Sequence, residues 1–246
     1  MNLKIFQLIN NIILTHSGSI SDFSMINEKF NVYHFPMIEI EPIDLKKMKL
    51  KDYDYFIFTS KNGVDSFISS FEKKYKTIKA ICAGKNLYER MKKLGFEISY
   101  NCKYPYKEKL IDELIKSNKI KNKEVLYLTG NLSDNFIEKK LKNHCKVSRK
   151  NIYKTTHVSV VNHELKKILS KNICILIFTS PSSFDSFTKK YKIKNQKIGA
   201  IGKTTMDHIQ NNNFKVDFTP KLPSFNDLSK EINKYINKTK QWIIHK

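Results

Sequence analysis

Two stretches of this chain carry residue types suited to holding an anion. In the later one, Phe178-Thr-Ser180-Pro-Ser182-Ser-Phe-Asp-Ser-Phe187 follows the apolar run Ile173 to Ile177. A short Ile-rich run closed by Thr-Ser-Pro predicts a buried strand meeting a helix N-terminus. Ser180 is placed as N-cap and Pro181 as first helical residue, where a missing N–H costs nothing. Such a helix end offers backbone N–H groups and a partial positive charge to an anion. The earlier stretch repeats the pattern: Tyr53 to Ser60 runs into Lys61-Asn62-Gly-Val-Asp-Ser-Phe67, so Phe-Thr-Ser and Asp-Ser-Phe recur 120 positions apart. A second echo follows each copy. Ala80-Ile-Cys-Ala-Gly84-Lys85 matches Gly199-Ala-Ile-Gly-Lys203, with Gly84 and Gly202 118 positions apart. Two echoes in one order at nearly one offset predict two related α/β units, each with an anion-ready strand-to-helix turn.

Other chemistries find less support. Gly202-Lys203-Thr204 is how a P-loop ends, but that motif needs glycine at 197, where Lys197 stands. What remains is a strand, a glycine permitting close approach, and the hydroxyls of Thr204 and Thr205 at a helix start, where plain N-capping serves equally well. Tyr153 sits in an extended stretch and could donate a proton or simply pack. There is no GxGxxG, HExxH or GxSxG, and the seven histidines show no ligand-like spacing and read as surface residues. Cys82, Cys102, Cys145 and Cys174 are scattered, with no CxxC. Neither a metal nor a disulfide is implied, and a reducing cytosol fits.

Strands and helices must alternate to present these turns. Strands are expected at 11–15, 32–35, 53–59, 78–82, 96–100, 124–129, 173–178, 197–201 and 214–218. Helices are expected at 21–29, 62–73, 86–93, 107–116, 133–143, 162–170, 182–190, 204–210 and 224–236. The alternation predicts parallel sheets with helices on both faces. The C-terminal part has too few strands for a sheet of its own, and the N-terminal strand-helix-strand completes it. One domain is therefore expected from 1–36 and 158–246, with a second, 43–149, inserted into it. The stretches 37–42 and 150–157 read as extended linker strands between the two, which permits hinge motion around an inter-domain ligand site.

Net charge is +22 over 246 residues, yet Arg90 and Arg149 are the only arginines. Lysine, asparagine and isoleucine dominate, so a solvated lysine surface is the plain reading. The field would also attract an acidic ligand; without a dense basic block carrying aromatics, nucleic-acid binding rests on charge alone. The apolar run Ile9 to Leu14 is too short for a signal peptide or membrane span.

Taken together, Phe-Thr-Ser with Ser-Phe at 178–187, Ala200-Ile-Gly-Lys-Thr-Thr205, Thr219-Pro220 with Pro223-Ser224, Pro36-Met-Ile-Glu-Ile-Glu-Pro42 and Tyr153-Lys-Thr155 resemble the uroporphyrinogen-III synthase family. The resemblance implies two flavodoxin-like (Rossmann-like) α/β parallel-sheet domains, one inserted into the other and joined by a two-stranded linker. It implies a cofactor-free lyase that cyclises hydroxymethylbilane, a linear tetrapyrrole with eight carboxylates, inverting ring D with loss of water. Tyr153 would be the catalytic proton donor. Ser60, Lys61, Asn62, Gly84 and Lys85 would bind substrate in one domain, and Ser180, Ser182, Lys203, Thr204 and Thr205 in the other. A cytoplasmic monomer is implied, in transient contact with the upstream enzyme that makes its substrate, with no nucleic acid or membrane partner. The alternative is a two-domain binding protein for acidic small molecules that kept the fold and lost catalysis. The chain departs from the family at three places. Thr15-His16 stands for Thr-Arg after the first strand, Thr129 for an arginine after Val125–Leu128, and Leu87 for a threonine.

Overall fold

A computed structural model describes residues 11–23, 26, 30–45, 48–171 and 174–244. Contacts divide the chain into two units, Met1–Glu39 with Thr156–Lys246, and Ile40–Thr155. The first unit opens with β1 (Asn11–Leu14) and β2 (Asn31–His34). β3 (Ile38–Pro42) leads into the second unit. There follow β4 (Tyr55–Phe58), α1 (Lys61–Phe71), β5 (Lys79–Ala83), α2 (Lys85–Leu94), β6 (Glu97–Cys102), α3 (Lys107–Lys116), β7 (Glu124–Gly130), α4 (Phe136–Leu141) and β8 (Lys146–His157). The first unit resumes with α5 (His163–Lys171), β9 (Cys174–Phe178), α6 (Pro181–Thr188), β10 (Lys197–Ala200), α7 (Lys203–Asn211) and α8 (Phe225–Ile244).

The strands of the first unit lie in the order β10-β9-β1-β2, every neighbouring pair parallel. Those of the second run β3-β8-β7-β4-β5-β6, and the pairs β8/β7, β7/β4, β4/β5 and β5/β6 are parallel. Strands covered by helices on both faces are apolar without a break, and β1 and β9 are buried at every position. Alternate side chains feed separate cores. Phe56 and Phe58 pack with Phe67 and Met91 on one face of β4, while Ile57 packs with Leu110 and Ile137 on the other. In β9, Leu176 and Phe178 join Phe184 and Phe187, and Ile175 and Ile177 join Leu228 and Ile232. Each such side chain, fully buried, stabilises the fold by roughly 1.5–3 kcal/mol.

Several expected elements differ in the structure. The stretch 214–218 is no strand; it touches the sheet through one bridge, Gly199 to Phe218. There the Asp217 carboxylate accepts the Ile198 N–H at 2.8 Å, so a side chain fills a place that a neighbouring strand's carbonyl would take. The stretches 37–42 and 150–157 contribute neighbouring strands of the six-stranded sheet, and β8 begins at Lys146 rather than at 150. The helix expected from Ser133 starts at Phe136, because Ser133 instead closes a turn onto the Gly130 carbonyl at 3.2 Å. Of the helix expected at 21–29, the described part is a 3₁₀ turn, Ile20–Phe23; residues 24, 25 and 27–29 lie outside the described set. The last helix runs beyond 236 to Ile244.

Candidate active site

In an open parallel sheet, a crevice forms at the carboxyl ends of two neighbouring strands whose connections leave in opposite directions. In the second unit the chain winds outward from β4 to β5 and β6 on one side and through β7 to β8 on the other, which puts that point between β4 and β7. In the first unit it falls between β1 and β9. Ser60 follows β4 and Ser180 follows β9, so topology alone brings the repeated turns to the two crevices.

Both serines are helix N-caps. Ser60 Oγ accepts the Gly63 N–H at 3.1 Å, and Ser180 Oγ accepts the Ser183 N–H at 3.2 Å. Ser182 Oγ lies 3.1 Å from Ser180 Oγ, so these two hydroxyls are brought together. The second echo also has a structural counterpart. Gly84 and Gly202 precede α2 and α7, and no side chain caps either helix. A Cβ on Gly84 would lie 2.8 Å from Pro105 Cβ, and one on Gly202 would lie 2.9 Å from Pro223 Cβ. Each proline stands 21 positions after its glycine. Gly84 also has φ 88°, which a side chain rarely adopts.

Charge at these helix starts departs from habit. Acidic residues normally fill a first turn, where they meet the positive end of the helix. Glu108, Glu138, Glu164 and Asp227 do so in α3, α4, α5 and α8. The four helices that follow β4, β5, β9 and β10 have no acid in the first turn. Three of them begin instead with lysine, Lys61, Lys85 and Lys203. All three are exposed, and Lys203 Nζ reaches Asp207 at 2.8 Å. No carboxylate of these first turns offsets the helix field and the three lysines add to it, an arrangement that suits anions from outside. The first-turn composition was readable in the sequence once the helix starts were known.

The crevice of the second unit carries a cluster of hydroxyls. Tyr153, on β8, extends across β7 toward β4, and its phenol oxygen lies 3.3 Å from Ser60 Oγ. Gly130 makes this possible: a Cβ there would lie 2.4 Å from Tyr153 Cε2. The β7–β8 register slips at this point, from Thr129 opposite Asn151 to Gly130 opposite Tyr153. Beside it the Tyr127 hydroxyl bridges Ser133 Oγ at 3.0 Å and Thr59 Oγ1 at 3.4 Å. Burial pushes the Tyr153 phenol above the ordinary tyrosine value, Ser60 pulls it back and Tyr127 adds to the rise. The group is thus a neutral O–H donor throughout the physiological range.

The remaining expected site residues divide by exposure. Thr204 is exposed and Asn62 half-buried, whereas Thr205 is only 3% exposed. His16, read as a surface residue, is buried at 3% exposure. Its ring stacks near His34 at 4.5 Å and Phe225 at 5.3 Å, and its Nε2 lies 3.0 Å from the Ser19 carbonyl, so it shapes the loop after β1. Thr129 is buried within β7, and Leu87 within the core beneath α2. Both arginines have partners: Arg90 donates to Asp65, and Arg149 to carbonyls of the loop after β7. Among the described residues, no group of three or more His, Cys, Asp or Glu could hold a metal ion.

The family model for uroporphyrinogen-III synthase HemD matches residues 26–230. The chain belongs to that family. Among solved structures it is similar to uroporphyrinogen-III synthetase from Helicobacter pylori, with 20% identity, a TM-score of 0.70, and 92% of this chain and 99% of that one covered. It is also similar to a mutant uroporphyrinogen III synthase from the extremely thermophilic bacterium Thermus thermophilus, with 13% identity, a TM-score of 0.62 and the same coverage. At these identities the likeness is one of fold, the mixed α/β architecture with parallel sheets. No curated protein matches the sequence. Synthases of this family act on hydroxymethylbilane, so four acid-free helix starts and a protonated phenol are the features to weigh against that substrate.

Proposed function

We propose that this chain closes hydroxymethylbilane to uroporphyrinogen III, the activity of its family, with Tyr153 as the acid. The observation that carries the reading is the placing of a neutral phenol at the crevice between β4 and β7. Tyr153 gives its proton to the terminal hydroxyl, the C–O bond breaks, and water leaves with the bonding electrons. The pyrrole nitrogen lone pair compensates, giving an azafulvene cation. Ring D then attacks through its substituted carbon to form a spiro intermediate, which fragments and recloses with that ring inverted. The proton lost as the last pyrrole regains aromaticity restores the phenol, so the net change is loss of one water. Substrate and intermediate supply the reactivity, and the protein's task is to fix one conformation against spontaneous closure to the other isomer.

The eight carboxylates are taken by the acid-free helix starts. Backbone N–H groups after Gly84 and Gly202, the hydroxyls of Ser180, Ser182 and Thr204, and the exposed Lys61, Lys85 and Lys203 are the donors in this reading. Lysines act as point charges and tolerate imprecise geometry, which suits a chain with its arginines committed elsewhere. The protein works as a monomer in the cytoplasm and receives its short-lived substrate in transient contact with the enzyme that makes it. Four free, buried thiols are compatible with a reducing compartment. Among the described residues, no helix is long and apolar enough to cross a membrane.

The test is the isomer ratio of uroporphyrin formed from freshly made hydroxymethylbilane, with and without the protein. Isomer III is expected to dominate with it. Isomer I alone, at the spontaneous rate, would overturn the reading.

A further inference from the structure

We propose that Ser60 acts through Tyr153 as a positioning residue, holding the phenol oxygen over the gap at Gly130 and donating a hydrogen bond to it as its proton leaves. The inference rests on the reading of Tyr153 as the acid, and it moves Ser60 from carboxylate binding to support of the chemistry.

The hydrogen-bond inventory leads there. A serine hydroxyl has one hydrogen to give and two lone pairs. Ser60 Oγ already accepts the Gly63 N–H at 3.1 Å, which fixes its side chain against the start of α1. Its own hydrogen has Tyr153 OH at 3.3 Å as partner. If Ser60 donates along that line, the phenol hydrogen is free to point away toward a leaving hydroxyl. At 3.3 Å the contact is long for O–H···O, and such contacts shorten when the acceptor gains charge. Proton transfer creates that charge on Tyr153, so the bond strengthens as the C–O bond breaks, the condition for lowering a barrier rather than merely binding substrate. The direction in which Ser60 moves the Tyr153 phenol, downward, agrees. Held on one side by Ser60, the ring has bare Gly130 backbone on another and cannot slide outward along β7 without losing both contacts.

The plain reading makes Ser60 an N-cap and nothing more, and two substitutions separate the two. Ser60→Gly is tolerated as an N-cap at little cost, adds no charge and offers no side-chain hydrogen; Ser60→Thr keeps both functions. With the whole protein, kcat for isomer III is expected to fall roughly ten- to hundredfold in Ser60→Gly and to stay within about threefold of wild type in Ser60→Thr. Urea midpoints of both variants should lie near wild type, so the fall cannot be assigned to unfolding. A second measurement needs no substrate. With tyrosines ¹³C-labelled at Cζ, the Tyr153 resonance is assigned by its loss in Tyr153→Phe and followed against pH. In Ser60→Gly it should titrate at higher pH than in wild type, and in Ser60→Thr at the wild-type position. An unchanged titration in Ser60→Gly, or an unchanged kcat, would overturn the inference. Failure of the acid reading shows separately, as full turnover in Tyr153→Phe.

Discussion

Asp185 Oδ1 and His208 Nε2 lie 2.6 Å apart and tie α6 to α7. The second unit makes the same tie between α1 and α2, through Arg90 Nε to Asp65 at 3.0 Å. The acids stand 120 positions apart and the bases 118, the offsets of the two turns. The repeat therefore extends past the strand-to-helix turns to a clamp between the helices that follow them. Both pairs are about a third or more exposed, so solvent screens them. A double-mutant cycle on Asp65 and Arg90, read from urea midpoints, should give a coupling of about 0.5–1 kcal/mol. A coupling of zero within error would make the pair incidental to the clamp.

Gly130→Ala places a methyl group inside the Tyr153 ring. The ring must move or the β7–β8 pairing must open, at a cost of about 1–3 kcal/mol for overpacking. Turnover should fall with the displaced phenol, whereas Tyr153→Phe should lose turnover and keep its urea midpoint. A Gly130→Ala protein with wild-type stability and rate would show that the ring has room that the present geometry denies it.

Arg149 makes five contacts, tying the end of β7 and the loop after it to α4 and β8. It donates to Ser133 O at 2.7 Å, Asp134 O at 2.9 Å, Gly130 O and Glu138 Oε1 at 3.3 Å, and Asn151 Oδ1 at 3.3 Å. Lysine cannot reproduce a planar fork with five donors. Arg149→Lys is expected to lower stability by about 1–3 kcal/mol and to speed proteolytic nicking within 131–135. Equal nicking rates in the two proteins would assign the loop's order to something else.

Alkaline pH should weaken the fold through its thiols. Burial pushes Cys82 and Cys174 up to about 12 and Cys145 up to about 11, against an ordinary 9.0. Above pH 9 the unfolded chain loses these protons while the folded one keeps them. The unfolded state then binds fewer protons, and stability falls as pH rises. The contribution is whole below pH 9 and is lost progressively toward pH 11 to 12. Urea midpoints at pH 7.5, 9 and 10.5 should decline in that order, and Cys174→Ala, once corrected for its cavity, should flatten the decline.

Much of the scaffold was legible because parallel strands write themselves as unbroken apolar runs. Phe178-Thr-Ser and its echo at Phe58 revealed the duplication and the Ser180 N-cap, while the matching cap by Ser60 emerged only in the structure. The Pro105 and Pro223 counterparts escaped notice because their neighbours differ, Tyr104 against Leu222, although the 118 offset would have found them. Burial of His16 left no local trace, since its partners His34 and Phe225 come from distant segments. The same holds for Ser60 and Tyr153, which lie 93 positions apart and meet only because Gly130 is bare and the register slips beside it. Stretch 214–218 misled because its apolar alternation is that of a strand, while Asp217 supplies by side chain what backbone pairing would.

The slipped register has a consequence for length rather than composition. Side chains on a strand alternate, so facing depends on whether the count of residues is odd or even. Ile152 is fully buried and Tyr153 lies opposite Gly130. Removing one residue from 147–151, with the pairing before it kept, would drive the phenol into the place of Ile152 and set Lys154 over Gly130. Exchanging one surface residue for another leaves that count unchanged. A single lost residue in β8 would exchange the phenol over Gly130 for a cation.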